Sequence, residues 1–367
     1  MSVRAATAAA IGILALAVAG CGQPATPGPG HAAPGQRAVL TASVVLDAGG
    51  HAFEPTTAGA VLVTANAGKT WDSVRLPGTA ALGHSVEVAG RTIVAVTVTS
   101  HGLAYQRSVN GGASWRTIAV PASTPTNQAS VALSADGRQI AVMAVLPGSA
   151  GAGDQPELSV GGVAGPLTAV NAPVSGDVAW AGSTLVLTGG PLQSRLYTSA
   201  DHGVTWTQQP VTGTLAPRFN VSPGTPSFGA PLTAGDTVTV PVTEHRGGGA
   251  FVRLYRSTGG SSYVPGARVA LTGSIGAGVT ALVSQAGPGR YVIASPGSAR
   301  LDVVTATANT AIAGAGLTGT IDSLTFSDAL NGLAQTTQDA CSGKDNCRST
   351  TTLYRTSDGG LRWEPVG

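Results

Sequence analysis

An all-β fold of repeated small sheets is predicted for this chain, and three observations predict it. One short turn recurs four times: Thr64-x-Asn66-x-Gly68 ending at Trp71, Ser108-x-Asn110-x-Gly112 ending at Trp115, Ser199-x-Asp201-x-Gly203 ending at Trp206, and Thr356-x-Asp358-x-Gly360 ending at Trp363. The composition favours strands and turns, with 52 Gly and 23 Pro in 367 residues and Val, Thr and Ala abundant. Finally, no amphipathic helical stretch stands out after residue 40.

Each turn has one physical logic. The Ser or Thr hydroxyl and the Asp or Asn side chain can accept bonds from nearby backbone N–H groups and hold a tight bend. The glycine supplies the positive φ such a bend needs. A short strand precedes it, as in Leu196-Tyr197-Thr198 and Leu353-Tyr354-Arg355, and the aromatic starts the next strand. Its ring is expected to bury against its own hairpin, so that Trp206→Ala would cost about 3 kcal/mol. A fifth copy, Ser257 to Tyr263, keeps Gly260 but has lost the Asp, and Tyr263 replaces the Trp.

The five aromatics stand at 71, 115, 206, 263 and 363, and two of the four intervals are about double the others. One degenerate repeat in each long interval makes seven units over 37–367, about 47 residues each, the size of a four-stranded propeller blade. One hidden unit would use Val131 to Leu133 and Ile140 to Leu146, with a degraded turn near Gly161-Gly162. The other would use Val279 to Val283, Tyr291 to Ala294 and Leu301 to Thr305. The β-branched runs Arg91 to Thr97, Ser183 to Thr188 and Asp236 to Thr243 read as second strands. Ser85 to Val88, Gly176 to Trp180 and Ile321 to Phe326 read as first strands lining a channel. The expectation is a seven-bladed β-propeller of four-stranded antiparallel sheets, with six blades as the alternative.

These turns have the pattern of the Asp-box, or BNR repeat. From about residue 37 onward the chain resembles Asp-box propellers: sialidase-like, sortilin-type and bacterial photosystem-assembly-factor-like. The third group is approached most closely at the end, where Phe326-Ser327-Asp328-Ala329-Leu330-Asn331-Gly332 precedes Leu353-Tyr354-Arg355 and the last turn. The resemblance implies the fold. It leaves function open, because Asp-boxes occur in hydrolases and in binding proteins.

The N-terminal part reads separately. Residues 1–21 look like a lipoprotein signal peptide: Arg4, an apolar run from Ala5 to Ala19, and Val18-Ala19-Gly20-Cys21, which resembles a bacterial lipobox. That resemblance implies diacylation of Cys21 and anchoring at the outer face of the bacterial cytoplasmic membrane. A plain signal peptide with a chance cysteine and an uncleaved anchor are the rival readings. Residues 22–36, rich in Pro, Gly and Ala, read as a flexible tether, and residues 37–367 as the propeller domain.

Cys341 and Cys347 flank a polar loop and would meet an oxidising compartment after export, which favours a disulfide worth on the order of 2 kcal/mol. A metal pair or a redox couple is the weaker reading, because the spacing is not CxxC and no His lies close by.

Sialidase chemistry implies three arginines, a Tyr nucleophile paired with Glu, and an Asp acid. Arg75-Leu76-Pro77 follows the first turn where that family would have its motif before it, and it reads as the end of an outer strand. Glu stands only at 54, 87, 157, 244 and 364. Tyr197, Tyr255 and Tyr354 lie before turns, so a Tyr–Glu pair is hard to assemble from them, which leaves Tyr105 and Tyr291 as nucleophile candidates. No HExxH, GxSxG or phosphate-loop pattern occurs, so no metal or cofactor is expected. Net charge of +2 without basic runs gives no case for nucleic acid. The sequence thus predicts a monomeric, non-enzymatic cell-surface scaffold for an extracytoplasmic protein or glycan, with an exo-glycosidase as the alternative.

Overall fold

The structure, a computed structural model, describes residues 45–366 apart from several loop stretches, of which 212–224 is the longest. The signal peptide, Cys21 and the tether lie outside the described residues. Among those described, the strands form six four-stranded antiparallel sheets and one of five strands, each built from consecutive segments of chain. In order they span 45–75, 83–119, 128–170, 176–208, 227–270, 282–312 and 320–365 and are numbered sheets 1 to 7 below.

The expectation of seven like blades is corrected by this arrangement. Six of the sheets are four-stranded blades, and sheet 5, with five strands, is built differently. Its second strand, Thr237–Arg246, pairs with two short segments, Ser227–Phe228 and Leu232–Ala234. Gly229, Ala230 and Pro231 lie between them, and a proline has no N–H to give to a ladder.

The sheets close a ring through their first strands. Gly83–Ala89 lies against Gln128–Leu133, which lies against Gly176–Ala181, and Leu282–Gln285 lies against Thr320–Phe326. Val45–Leu46 of sheet 1 touches the first strands of both sheet 2 and sheet 7. Among the described residues closure brings sheet 1 against sheet 7 with no exchanged strand, a point the sequence left open.

The core lies between sheets, which explains the second strands. Val94, Ala95 and Val96, Ile140 to Ala144, and Leu185 to Leu187 are all essentially inaccessible to solvent. A second strand has neighbours on both faces, so it is apolar without alternation. Each such Val, Leu or Ile contributes about 1.5–3 kcal/mol by leaving water. The predicted first strands are found, and the hidden units appear at Gln128–Leu133 with Gln139–Leu146 and at Tyr291–Ala294 with Leu301–Val304, while the strand expected at Val279 to Val283 runs instead over Leu282–Gln285.

Candidate functional site

The four full turns share one hydrogen-bond set. In the third, the Ser199 hydroxyl donates to Asp201 Oδ1 (2.8 Å) and accepts from the Gly203 N–H (2.7 Å), while the Thr205 N–H donates to Asp201 Oδ1 (2.9 Å). Thr64 with Asn66, Ser108 with Asn110, and Thr356 with Asp358 repeat the pattern. The bonds from Thr205 and Ser199 hold the Asp201 carboxyl down at about 2. Asp201 and Asp358 are thus occupied by their own turns. In the degraded fifth copy only the Ser262 N–H to Ser257 Oγ bond is made, at 3.3 Å.

The rings do not behave as expected. All of these turns but the one ending at Trp115 lean on the preceding sheet of the ring. A Cβ on Gly203 would meet Val170 of sheet 3, on Gly260 Thr198 of sheet 4, on Gly360 Ile312 of sheet 6, and on Gly68 Leu333 of sheet 7. Trp71 packs with Leu333 and Leu353, Trp206 with Leu158 and Val170, Tyr263 with Leu196, and Trp363 with Ile312 and Leu317. Trp115 packs on its own sheet, with Val86 and Ile93, and Trp363 also meets Phe326 of its own sheet. Trp206 is half-buried, and its Nε1–H donates to the Asn171 carbonyl (3.0 Å), which corrects the expectation of a buried ring. Sequence spacing could not show this, because for every ring but Trp115 the receiving surface includes another repeat.

Sheets 3 and 6 lack the turn, with different results. In sheet 3 the connection between the last two strands brings Val163 and Leu167 down onto Leu103 and Tyr105 of sheet 2. In sheet 6 the chain from Leu301 to Ile312 contains no aromatic residue. Beside it a cleft of about 900 Å³ separates sheet 5 from sheet 6. Leu254, Arg256, Val264 and Pro265 line one wall, and Tyr291 and Val304 the other. Val264 is 66% exposed, and no ion pair involves the exposed Arg256 among the described residues.

The ring centre carries carboxylates on first strands: Glu87, Asp177 and Asp322. Glu87 keeps some access to solvent, yet so much protein surrounds it that burial pushes its carboxyl up to about 7, against a smaller downward pull from the Val88 N–H. Burial also raises Asp177. No group of three metal-ligating side chains is found among the described residues.

Candidate catalytic residues are scattered. Tyr105 is fully buried in the core between sheets 2 and 3, where desolvation drives its hydroxyl up to about 12. The Tyr291 hydroxyl bonds that of Thr239 at 2.9 Å. Arg75 ends the fourth strand of sheet 1, as expected. A Tyr–Glu pair does form at one of the tyrosines that precede a turn: the Tyr255 hydroxyl donates to Glu244 Oε1 at 3.2 Å, on the long hairpin of sheet 5. Burial first, and the Glu244 charge second, raise this tyrosine, the wrong direction for a nucleophile. Cys341 and Cys347 are register partners where the sheet 7 hairpin ends. The disulfide expected there is not shown; the pairing is of their backbones.

No family model matches the chain, and no curated protein matches it. Solved structures do. The structure described as YCF48 bound to D1 peptide is 13% identical, with 87% of this chain and 95% of that chain covered at a TM-score of 0.54. The β-propeller domain of Myceliophteria thermophila Cps50 (Swd1) is 11% identical over 86% and 98%, at 0.53. A prolyl endopeptidase is 10% identical over 89% of this chain and 49% of its own length, at 0.53. Likeness at this identity shows the fold: this chain is a β-propeller of antiparallel sheets.

Proposed function

We propose that this protein is an exported, lipid-anchored binding scaffold whose propeller presents a cleft to another extracytoplasmic protein. The observation that carries the reading is the cleft between sheets 5 and 6, where the exposed Val264 stands beside Arg256, which has no acidic partner among the described residues. Stiff sheets that hold such a surface suit recognition, since ordering costs are met before the partner arrives. The structural neighbour with a bound D1 peptide supports a peptide-like partner by analogy of fold. The repeated turns are assigned as Asp-boxes of a sialidase-like propeller, and Cys21 as the acylated residue.

The test is affinity capture with the full chain from detergent-solubilised membranes of the source cells. One partner protein enriched near equal stoichiometry is expected, and Cys21→Ser is expected to release the chain from the membrane. Turnover of a terminal glycoside by the purified chain would replace this reading with the glycosidase one. The paired backbones of Cys341 and Cys347 support a disulfide between them. Thiol titration of the unreduced, unfolded chain should then find neither cysteine reactive; two reactive thiols would refute it.

A further inference from the structure

The cleft between sheets 5 and 6 lies at a joint for which the sequence supplies no aromatic turn. Around the ring, the outer strands of a sheet are covered by the aromatic turn of the next: Trp206 covers sheet 3, Tyr263 sheet 4, Trp363 sheet 6 and Trp71 sheet 7. Sheet 2 is covered by the aliphatic substitutes Val163 and Leu167. Sheet 5 should be covered by sheet 6, whose last connection offers neither ring nor aliphatic side chain larger than alanine in residues 305–308, Thr-Ala-Thr-Ala. The seat remains as a cavity of about 900 Å³ that opens beside Val264, an apolar side chain 66% exposed. A fully buried ring elsewhere removes about 150–250 Å² from water, so an open seat of this kind is a ready source of binding energy.

The polar side of the seat is equally specific. Arg256 pairs in register with Val264 across the ladder, so the guanidinium and the apolar wall are neighbours on one face. No carboxylate lines the cavity among the described residues. Such a cation takes a carboxylate in a two-bond fork.

We propose that this cleft binds an acidic peptide segment of the partner, an aromatic side chain filling the seat the ring leaves open and an adjacent carboxylate pairing with Arg256. The inference rests on the scaffold reading and deepens it by naming the chemistry of the partner.

The experiment titrates the full chain, in detergent, with a fluorescently labelled peptide, acetyl-Gly-Ser-Trp-Glu-Ser-Gly-amide. Saturable binding is expected, and replacing the peptide's Trp by Ala or its Glu by Gln should weaken it roughly tenfold or more, as loss of a charged hydrogen bond or a buried ring does. Arg256→Glu should lose the Trp-Glu peptide and gain the Trp-Lys one, a reversal that simple damage to the fold would not produce. Val264→Ser should weaken both. The proposal is overturned if the wild-type chain does not bind the peptide, or binds it with the same affinity after Arg256→Glu. In either case captured membrane protein would leave the scaffold reading standing and move its site elsewhere.

Discussion

Trp363→Ala is expected to lower the unfolding free energy by about 3–5 kcal/mol, the range for deleting a large buried aromatic. The ring is 4% exposed. It stands edge-on to Phe326, with centroids 6.0 Å apart at 85°, and packs with Ile312 and Leu317 from sheet 6 and the connection that follows it. Its Nε1–H donates to the Gly360 carbonyl at 3.0 Å, and its backbone N–H donates to the Ala315 carbonyl at 2.8 Å. Alanine would open a cavity at a joint between two sheets and leave the Gly360 carbonyl without that donor. Trp206→Ala should cost less, about 1–2 kcal/mol, because that ring is half-exposed and removes less area from water. Urea denaturation of both variants measures the difference. Equal losses would mean that burial at the joint is not what distinguishes the two rings.

Glu87→Gln is expected to stabilise the protein at pH 8, by about 2–3 kcal/mol, and to change little at pH 4.5. Burial raises the Glu87 carboxyl from its ordinary 4.5 to about 7 in the folded chain. Below the unfolded value both states hold the proton, and the folded state keeps its full stability. Between 4.5 and about 7 the unfolded chain gives up its proton more readily, so stability is lost as pH rises through that window, by about 1.4 kcal/mol for each pH unit crossed. Residual solvent access at the ring centre reduces the total below the full product. Glutamine cannot ionise and avoids the loss. Denaturation at the two pH values reads the effect directly. A gain of the same size at pH 4.5 would show that packing, not charge, is responsible.

The repeat was legible because its turns are local. Ser199, Asp201 and Gly203 satisfy one another within five residues, so the bend is written in adjacent positions and its strands follow on either side. The hidden units were legible too, because second strands such as Gln139–Leu146 are apolar on both faces. The ring contacts were not: Trp71 finds its partners Leu333 and Leu353 at the far end of the chain, and no spacing rule joins them. The pairing of Tyr255 with Glu244 depends likewise on a hairpin register that the sequence does not state.

By itself the sequence determined the all-β repeat, the place of its turns and the strands between them, since hydrogen bonds and side-chain alternation act over a few residues. Only the tertiary structure decided that each aromatic turn except that of Trp115 covers the preceding sheet, that sheet 5 has its first strand broken in two, and that a cleft lies between sheets 5 and 6. Those features depend on which distant surfaces come into contact when the ring closes, and burial is settled there.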